Sequence, residues 1–264
     1  FREAEGNVAI RVTDSNETEA FEVAGRGELQ LGVLIEQMRR EGFELTIGRP
    51  RVLTRMNPET GVREEPMEEV LVDVDEPYSG VVVDKLSRRK AEMQEMRPSG
   101  GGKVRLTFLM PSRGLIGYHG EFLTDTRGTG IMSRLFHGYQ PYKGPIEGRR
   151  NGVLISNANG TSVAYALWNL EERGKLMIDA GVPVYEGMII GEFNKDNDLN
   201  VNACREKKLT NVRAASAEIL VTLKGIREMS LEKCIEWIDD DEWIEVTPKS
   251  VRLRKKILAA NGRS

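Results

Sequence analysis

The chain has 264 residues, a formal net charge of -3, a hydrophobic fraction of 39% and a charged fraction of 30%, values ordinary for a globular protein with a core large enough to divide into two or three domains. No apolar run approaches the roughly 18 residues that suggest a bilayer span. The two cysteines, Cys204 and Cys234, form no CxxC pair and have no histidine beside them, which argues against a disulfide scaffold or a zinc site. A cytoplasmic protein with no membrane partner is expected. FREAEGN at the start reads as the tail of a helix lacking the usual opening cap, so the sequence is expected to be a piece of a longer protein.

In chain order, VAIRVT (8–13) and AFEVAG (20–25) alternate apolar and polar residues around Asp14, Ser15 and Asn16, the pattern of an antiparallel hairpin. ELQLGVLIEQMRREG then places Leu29, Val33, Leu34 and Met38 at helical spacing before Gly42, and ELTIGRPRVLTR reads as a strand. The turn-rich NPETGVREEP is a linker or an exposed hairpin. After it, MEEVLVDVD, EPYSGVVVDKLSRR, AEMQEMRP, GGKVRLTFLMP, SRGLIGYHGEFLTDT and TGIMSRLFHGY read as strand, helix, strand, strand, helix, strand. That is a complete βαββαβ order, and the first segment repeats its later part. NGVLISNANGTSVAYALW, VPVYEGMIIGEF and AEILVTLKG read as short strands, SLEKCIEWIDD as an amphipathic helix behind a Ser230 cap, and SVRLRKKIL as a final alternating strand. The expected class is α+β: two ferredoxin-like domains over 1–66 (truncated at its N-terminus) and 67–146, then a mostly β domain over 147–264.

Several catalytic readings are excluded. The Gly-Lys pairs, Gly102-Lys103 and Gly174-Lys175, are followed by Val and Leu instead of Ser or Thr, so no phosphate-binding P-loop is present. GRGELQLG lacks both the spacing and the strand-helix setting of a dinucleotide site. GTSVA at 160–164 misses the nucleophile-elbow pattern at its last position. The acidic run 239–242 lacks the ligand alternation of a calcium loop and reads as a solvated helix end. No catalytic residue, metal site or resident cofactor is expected.

The basic residues are more informative. Residues 1–66 hold 9 basic and 13 acidic side chains, residues 67–146 hold 11 and 10, and residues 147–264 hold 18 and 18. This balance argues against wholesale DNA binding. In the last segment, however, Lys249, Arg252, Arg254, Lys255, Lys256 and Arg263 follow the acids without another acid among them. The polar stretch NKDNDLNVNACREKKLTNVR (194–213) adds Lys195, Arg205, Lys207, Lys208 and Arg213, with five asparagines, including Asn211, that can donate to phosphate, 2′-hydroxyl and base edges. Arg252 and Arg254 share one strand face, which suits either a flat phosphate contact or an edge defended by charge. No RNP1 motif marks the ferredoxin-like segments as RRM modules.

GRGELQL, LIEQMRREGFEL and EPYSGVV resemble the third and fifth domains of elongation-factor-G-type translational GTPases. PSRGLIGYHGEFLTDTRGTGIM, NGVLISNANGTSVAYALWNLEERGKL and YEGMIIGEFNKDNDLNVN resemble the BipA/TypA group within them. Gln30 departs from the histidine common in the family at a structural position. The resemblance implies a ribosome-associated GTPase acting in large-subunit assembly and in cold or stress growth, with GTP and magnesium bound in a domain preceding Phe1. It implies as partners the 70S ribosome and 50S subunit, 23S rRNA near its A-loop, and the acceptor end of tRNA. It also places Lys195, Arg205, Lys207, Lys208, Asn211 and Arg213 in the contacting loop. Two readings compete with it. Paired ferredoxin-like domains can form a small-ligand-binding regulatory or enzymatic protein, which would need a concave apolar pocket, and a protein-binding scaffold would need an exposed apolar patch.

Overall fold

The structure is a computed structural model that describes residues 1–15, 20–206 and 222–263. The chain forms two compact units, one made of Phe1–Arg49 with Arg149–Ser264 and the other of Pro50–Gly148.

The first segment opens with α1 (Arg2–Gly6), followed by the antiparallel pair β1 (Arg11–Asp14) and β2 (Phe21–Ala24), α2 (Glu28–Arg40) and β3 (Leu45–Ile47). The expected strand, strand, helix, strand order is present, but β3 does not join β1 and β2. Those two strands are largely exposed and present no buried face to receive it. Leu45 and Ile47 instead pack with Ile244 and Val246 from the far end of the chain.

In the central unit, β4 (Arg55–Met56) and the start of β5 (Arg63–Asp75) form the hairpin anticipated around NPETGVREEP. α3 (Glu76–Arg88), β6 (Glu92–Gly100), β7 (Lys103–Pro111), a 3-10 turn over Ser112–Leu115, α4 (Tyr118–Asp125) and β8 (Ile131–Pro141) complete the βαββαβ plan. The sheet runs β8-β5-β7-β6, all antiparallel. Val70, Val72 and Val74 on β5 and Leu106 and Phe108 on β7 are buried at a spacing of two, against Val82 and Leu86, one helical turn apart on α3, and Phe122 on α4. Pro77 sits in the first turn of α3, with Lys85 and Arg88 in its last, where each suits the helix dipole or its free ends. Gly100, Gly101 and Gly102 turn the β6-β7 hairpin with φ of 85°, 62° and 75°, a left-handed run that side chains disfavour.

The remainder of the first unit contains β9 (Val153–Ser156), β10 (Gly160–Thr161), α5 (Ala164–Leu170), β11 (Gly174–Leu176), β12 (Pro183–Val184), β13 (Ile189–Phe193), β14 (Leu199–Val201), α6 (Leu231–Trp237), β15 (Glu242–Val246) and β16 (Val251–Lys255). They make the sheet β11-β13-β9-β14, the pair β10-β12, and the sheet β16-β15-β3. One core lies between α2, α6 and the β16-β15-β3 sheet, and a second lies under α5. Four expectations change. AYALWNL is helix instead of strand, since Ala166, Leu167 and Leu170 bury one helical face. The acidic run leads into strand β15. The stretch 194–213 contains β14. Of AEILVTLKG, residues 222–225 form no strand and the rest lies outside the described residues.

On the sheet of the central unit Arg105 donates to both oxygens of Asp73, at 2.9 and 2.8 Å, which holds that carboxyl below its ordinary pKa against a smaller effect of burial. A depressed carboxylate adds stability above its unfolded pKa of about 3.9, and that stability is lost as the pH falls through the lower folded value. Asp73→Asn is therefore expected to unfold at lower urea than the parent chain at pH 6. The gap should narrow as the pH is taken below about 4, and a gap independent of pH would refute the linkage.

Candidate nucleic-acid interface

The alternation Leu199, Val201, Ala203 explains the strand within the polar stretch. Val201 and Ala203 are buried, and Asn200 and Asn202 between them are exposed. β14 runs parallel to β9, with Leu199, Asn200 and Val201 opposite Leu154, Ile155 and Ser156. The turn before it is tied down at several points. Gly152 N donates to Lys195 O at 2.7 Å, and Val153 N donates to Asp198 Oδ1 at 2.9 Å. Gly152 is required there, because a Cβ would lie 2.1 Å from Asn197 O.

The asparagines act first on the protein itself. The Asn194 amide donates to Glu172 O at 3.3 Å and that of Asn197 to Asp198 O at 3.1 Å. Asn200 and Asn202 accept through Oδ1, from Arg263 at 2.6 Å and from Cys204 N at 2.8 Å. These bonds occupy the carbonyl oxygens of Asn200 and Asn202, so their amide N–H groups remain the donors suited to an RNA acceptor. Lys195 and Arg205 are exposed. Lys207, Lys208, Asn211 and Arg213 lie outside the described residues.

Below this stretch lies an ion cluster that the sequence reading missed. Glu242 is fully buried, and Arg149 grips it with two bonds at 2.7 and 3.1 Å. The Lys255 ammonium, only 3% exposed, reaches Asp198 at 2.6 Å, Asp241 at 2.8 Å and Glu242 at 3.2 Å. Burial works against both cations, but the facing carboxylates outweigh it and raise the pKa of Arg149 and of Lys255. Arg149 also lies over the Trp237 ring at 3.9 Å. The acidic run is therefore only in part a solvated helix end: Asp240 and Asp241 are largely exposed, but Glu242 is buried. Asp239 and Asp240 pair with Arg49, and Asp241 and Glu242 hold Lys255. A lysine in an alternating strand beside an acidic run was the available signal.

Arg252 and Arg254 do share a face of β16, and both meet Glu245 on β15, at 3.3 and 2.8 Å. Tyr185 donates its hydroxyl to the same carboxylate at 2.7 Å. The two arginines thus keep a net positive charge over one shared acid. β16 lies at one end of its sheet and continues into Lys255, which binds Asp198 at the root of the polar stretch. The structure brings the beginning of that stretch and the end of β16 together.

Other chemistry finds little support. The Ser162 hydroxyl donates to Asp179 O at 2.7 Å and accepts from Val182 N at 3.0 Å, both structural bonds. Burial pushes the Cys234 thiol up to about 12. Among the described residues no group of three His, Cys, Asp or Glu side chains could hold a metal. Gly102-Lys103 lies at a β-hairpin and Gly174-Lys175 at the start of β11, so neither meets a helix N-terminus and the residues do not fit GTP with magnesium. No helix among the described residues is long and apolar enough to cross a membrane.

Comparison with known proteins decides the family. Residues 151–260 match the TypA/BipA C-terminal domain, and residues 62–150 match the elongation factor G C-terminus. The chain belongs to the BipA/TypA family. It is 52% identical over 258 residues to the large ribosomal subunit assembly factor BipA of Haemophilus influenzae, covering 97% of this chain and 42% of that protein. The Salmonella typhimurium and Bacillus subtilis proteins of the same name are 50% and 49% identical with the same coverage, 97% and 42%. The chain thus spans 42% of the length of these BipA relatives. The TypA/BipA match contains β14, α6, β15 and β16, the elements that build the candidate interface.

Removing one partner from a buried ion pair strands the other charge, at about 3–5 kcal/mol. Arg149→Met is expected to lose stability of that order in urea denaturation, whereas Arg149→Met combined with Glu242→Met should recover much of it. Equal loss in the single and double variants would show that the cluster does not act through charge.

Proposed function

We propose that this chain is the RNA-docking part of a longer translational GTPase that acts on the large ribosomal subunit in the cytoplasm. In this reading the stretch 194–213, through Lys195, Arg205, Lys207, Lys208, Asn211 and Arg213, contacts 23S rRNA and the acceptor end of a tRNA on the 50S subunit or the 70S ribosome. Arg252 and Arg254 add positive charge from β16. The observation that carries the reading is the identity of 49–52% across 97% of this chain to proteins named large ribosomal subunit assembly factor BipA. The exposed Lys195 and Arg205, on a root fixed by Lys255 and Arg263, supply the matching chemistry.

The chain itself performs no bond-making step in this reading. GTP and magnesium belong to a separate domain of the longer protein, which couples nucleotide state to docking. Ribosome assembly under cold or other stress is the setting in which such a factor acts. Phosphate contacts dominate the affinity of such an interface and make it sensitive to salt.

Cosedimentation of the chain with 50S subunits tests the proposal. Changing Lys207 and Lys208 to Glu is expected to weaken binding and to lower the slope of log affinity against log salt by roughly 1–2, about 0.7–0.9 for each phosphate no longer neutralised. Unchanged affinity across several salt concentrations would remove these residues from the interface.

A further inference from the structure

The central unit carries an exposed aromatic pair that the docking proposal does not use. Phe136 and Tyr139 on β8 are 65% and 38% exposed, with ring centroids 5.7 Å apart and planes at 71°. Residues three apart in a regular strand point to opposite faces. Here the ladder slips: Phe136 faces Glu68 and Gly138 faces Met67, leaving His137 without a partner in the ladder. Gly138 absorbs the bulge with φ of 144°. The extra residue turns both rings to one side, a re-aiming that β-bulges commonly provide.

The pair is also braced. Arg55 lies over the Tyr139 ring at 3.8 Å and donates to Glu64 at 2.9 Å, and Asn57 donates to the same carboxylate at 2.8 Å. Arg134 stands 3.8 Å from Glu68, across from Phe136. Residues 126–146 contain Arg127, Arg134, His137 and Lys143 and no acid. β8 is an edge strand, hydrogen-bonded only to β5 among the described residues. Exposed rings interleaved with cations on a fixed strand suit a flat, uncharged base joined to a phosphate.

We propose that Phe136 and Tyr139, braced by Arg55 and flanked by Arg134, form a stacking platform for one or two unpaired nucleotides of RNA. The platform shares its partner class with the docking proposal but rests on different residues in the other compact unit. It is not the RRM arrangement that the absent RNP1 motif would have marked, because its rings lie on an edge strand. Stacking tolerates any base, so the platform selects unpaired over paired RNA and not one sequence over another.

Fluorescence anisotropy of the 264-residue chain with labelled ten-nucleotide oligo(U) and oligo(A), and with a blunt RNA duplex, tests this. It is measured in the parent chain and in the Lys207→Glu/Lys208→Glu background, so that the polar stretch does not supply the affinity. Phe136→Leu keeps an apolar side chain at an exposed position and is expected to weaken single-strand binding about 5- to 100-fold, the effect of removing a stacking ring. Phe136→Trp should bind as the parent does, and neither variant should alter duplex binding. Single-strand affinity that is absent in that background, or equal in the Leu variant and its parent, overturns the platform and leaves the patch to a protein partner. Such a result would not touch the docking proposal, which is read from 50S cosedimentation.

Discussion

A carboxylate taken fully out of water sets the frame of the first unit. Glu242 would cost several kcal/mol if buried alone, so the fold is committed to bringing Arg149 and Lys255 to it. Those partners come from the segment before β9 and from the end of β16, and Lys255 carries the constraint on to Asp198 at the start of β14. One buried charge thereby fixes three points of the chain that lie far apart in sequence. The cluster specifies position more than it adds net stability, because desolvation consumes much of the attraction between such groups.

The same unit is closed by a strand from the beginning of the chain. β3 extends the β16-β15 sheet, and Ile35 of α2 enters the core formed by Leu231, Cys234 and Ile235 of α6. The described parts of the candidate interface therefore rest on a core to which both ends of the chain contribute. By contrast, the central unit is built from one continuous segment, and its aromatic pair depends only on β4, β5 and β8.

This difference explains how far the sequence could be read. In the central unit β5 and β7 alternate with period two over seven or more residues, and α3 and α4 each bury an apolar pair one turn apart, so local pattern and tertiary structure agree there. α6 was equally legible, because Ser230 accepts from Lys233 N and Cys234 and Ile235 complete its buried stripe. Where pattern was short, it misled. β14 has three residues, and the asparagines in and around it outweighed Leu199 and Val201; β15 begins with an acid whose burial depends on Arg149, ninety-three residues away. The partner of β3 had no local signal, since any short apolar alternation fits any open edge. The Phe136–Tyr139 pair escaped notice because its spacing of three contradicts a strand face until the bulge is known. Of the site residues, Arg252 and Arg254 were correctly paired on one face, but the carboxylate they share could not be found from spacing alone.

That shared carboxylate bears on how an interface can exist on a chain of net charge -3. Net charge counts every acid, but a ligand meets only those left uncompensated at the surface. Asp198, Asp241 and Glu242 are engaged with Lys255 and Arg149, and Asp239 and Asp240 with Arg49. Glu245 is one acid between two arginines. An approaching phosphate must compete with that carboxylate, so Glu245 moderates attraction and holds Arg252 and Arg254 in place without cancelling both charges. A protein arranged in this way remains close to neutral overall and attracts an anion only where its cations outnumber their internal partners, which would confine the proposed RNA contact to a defined surface.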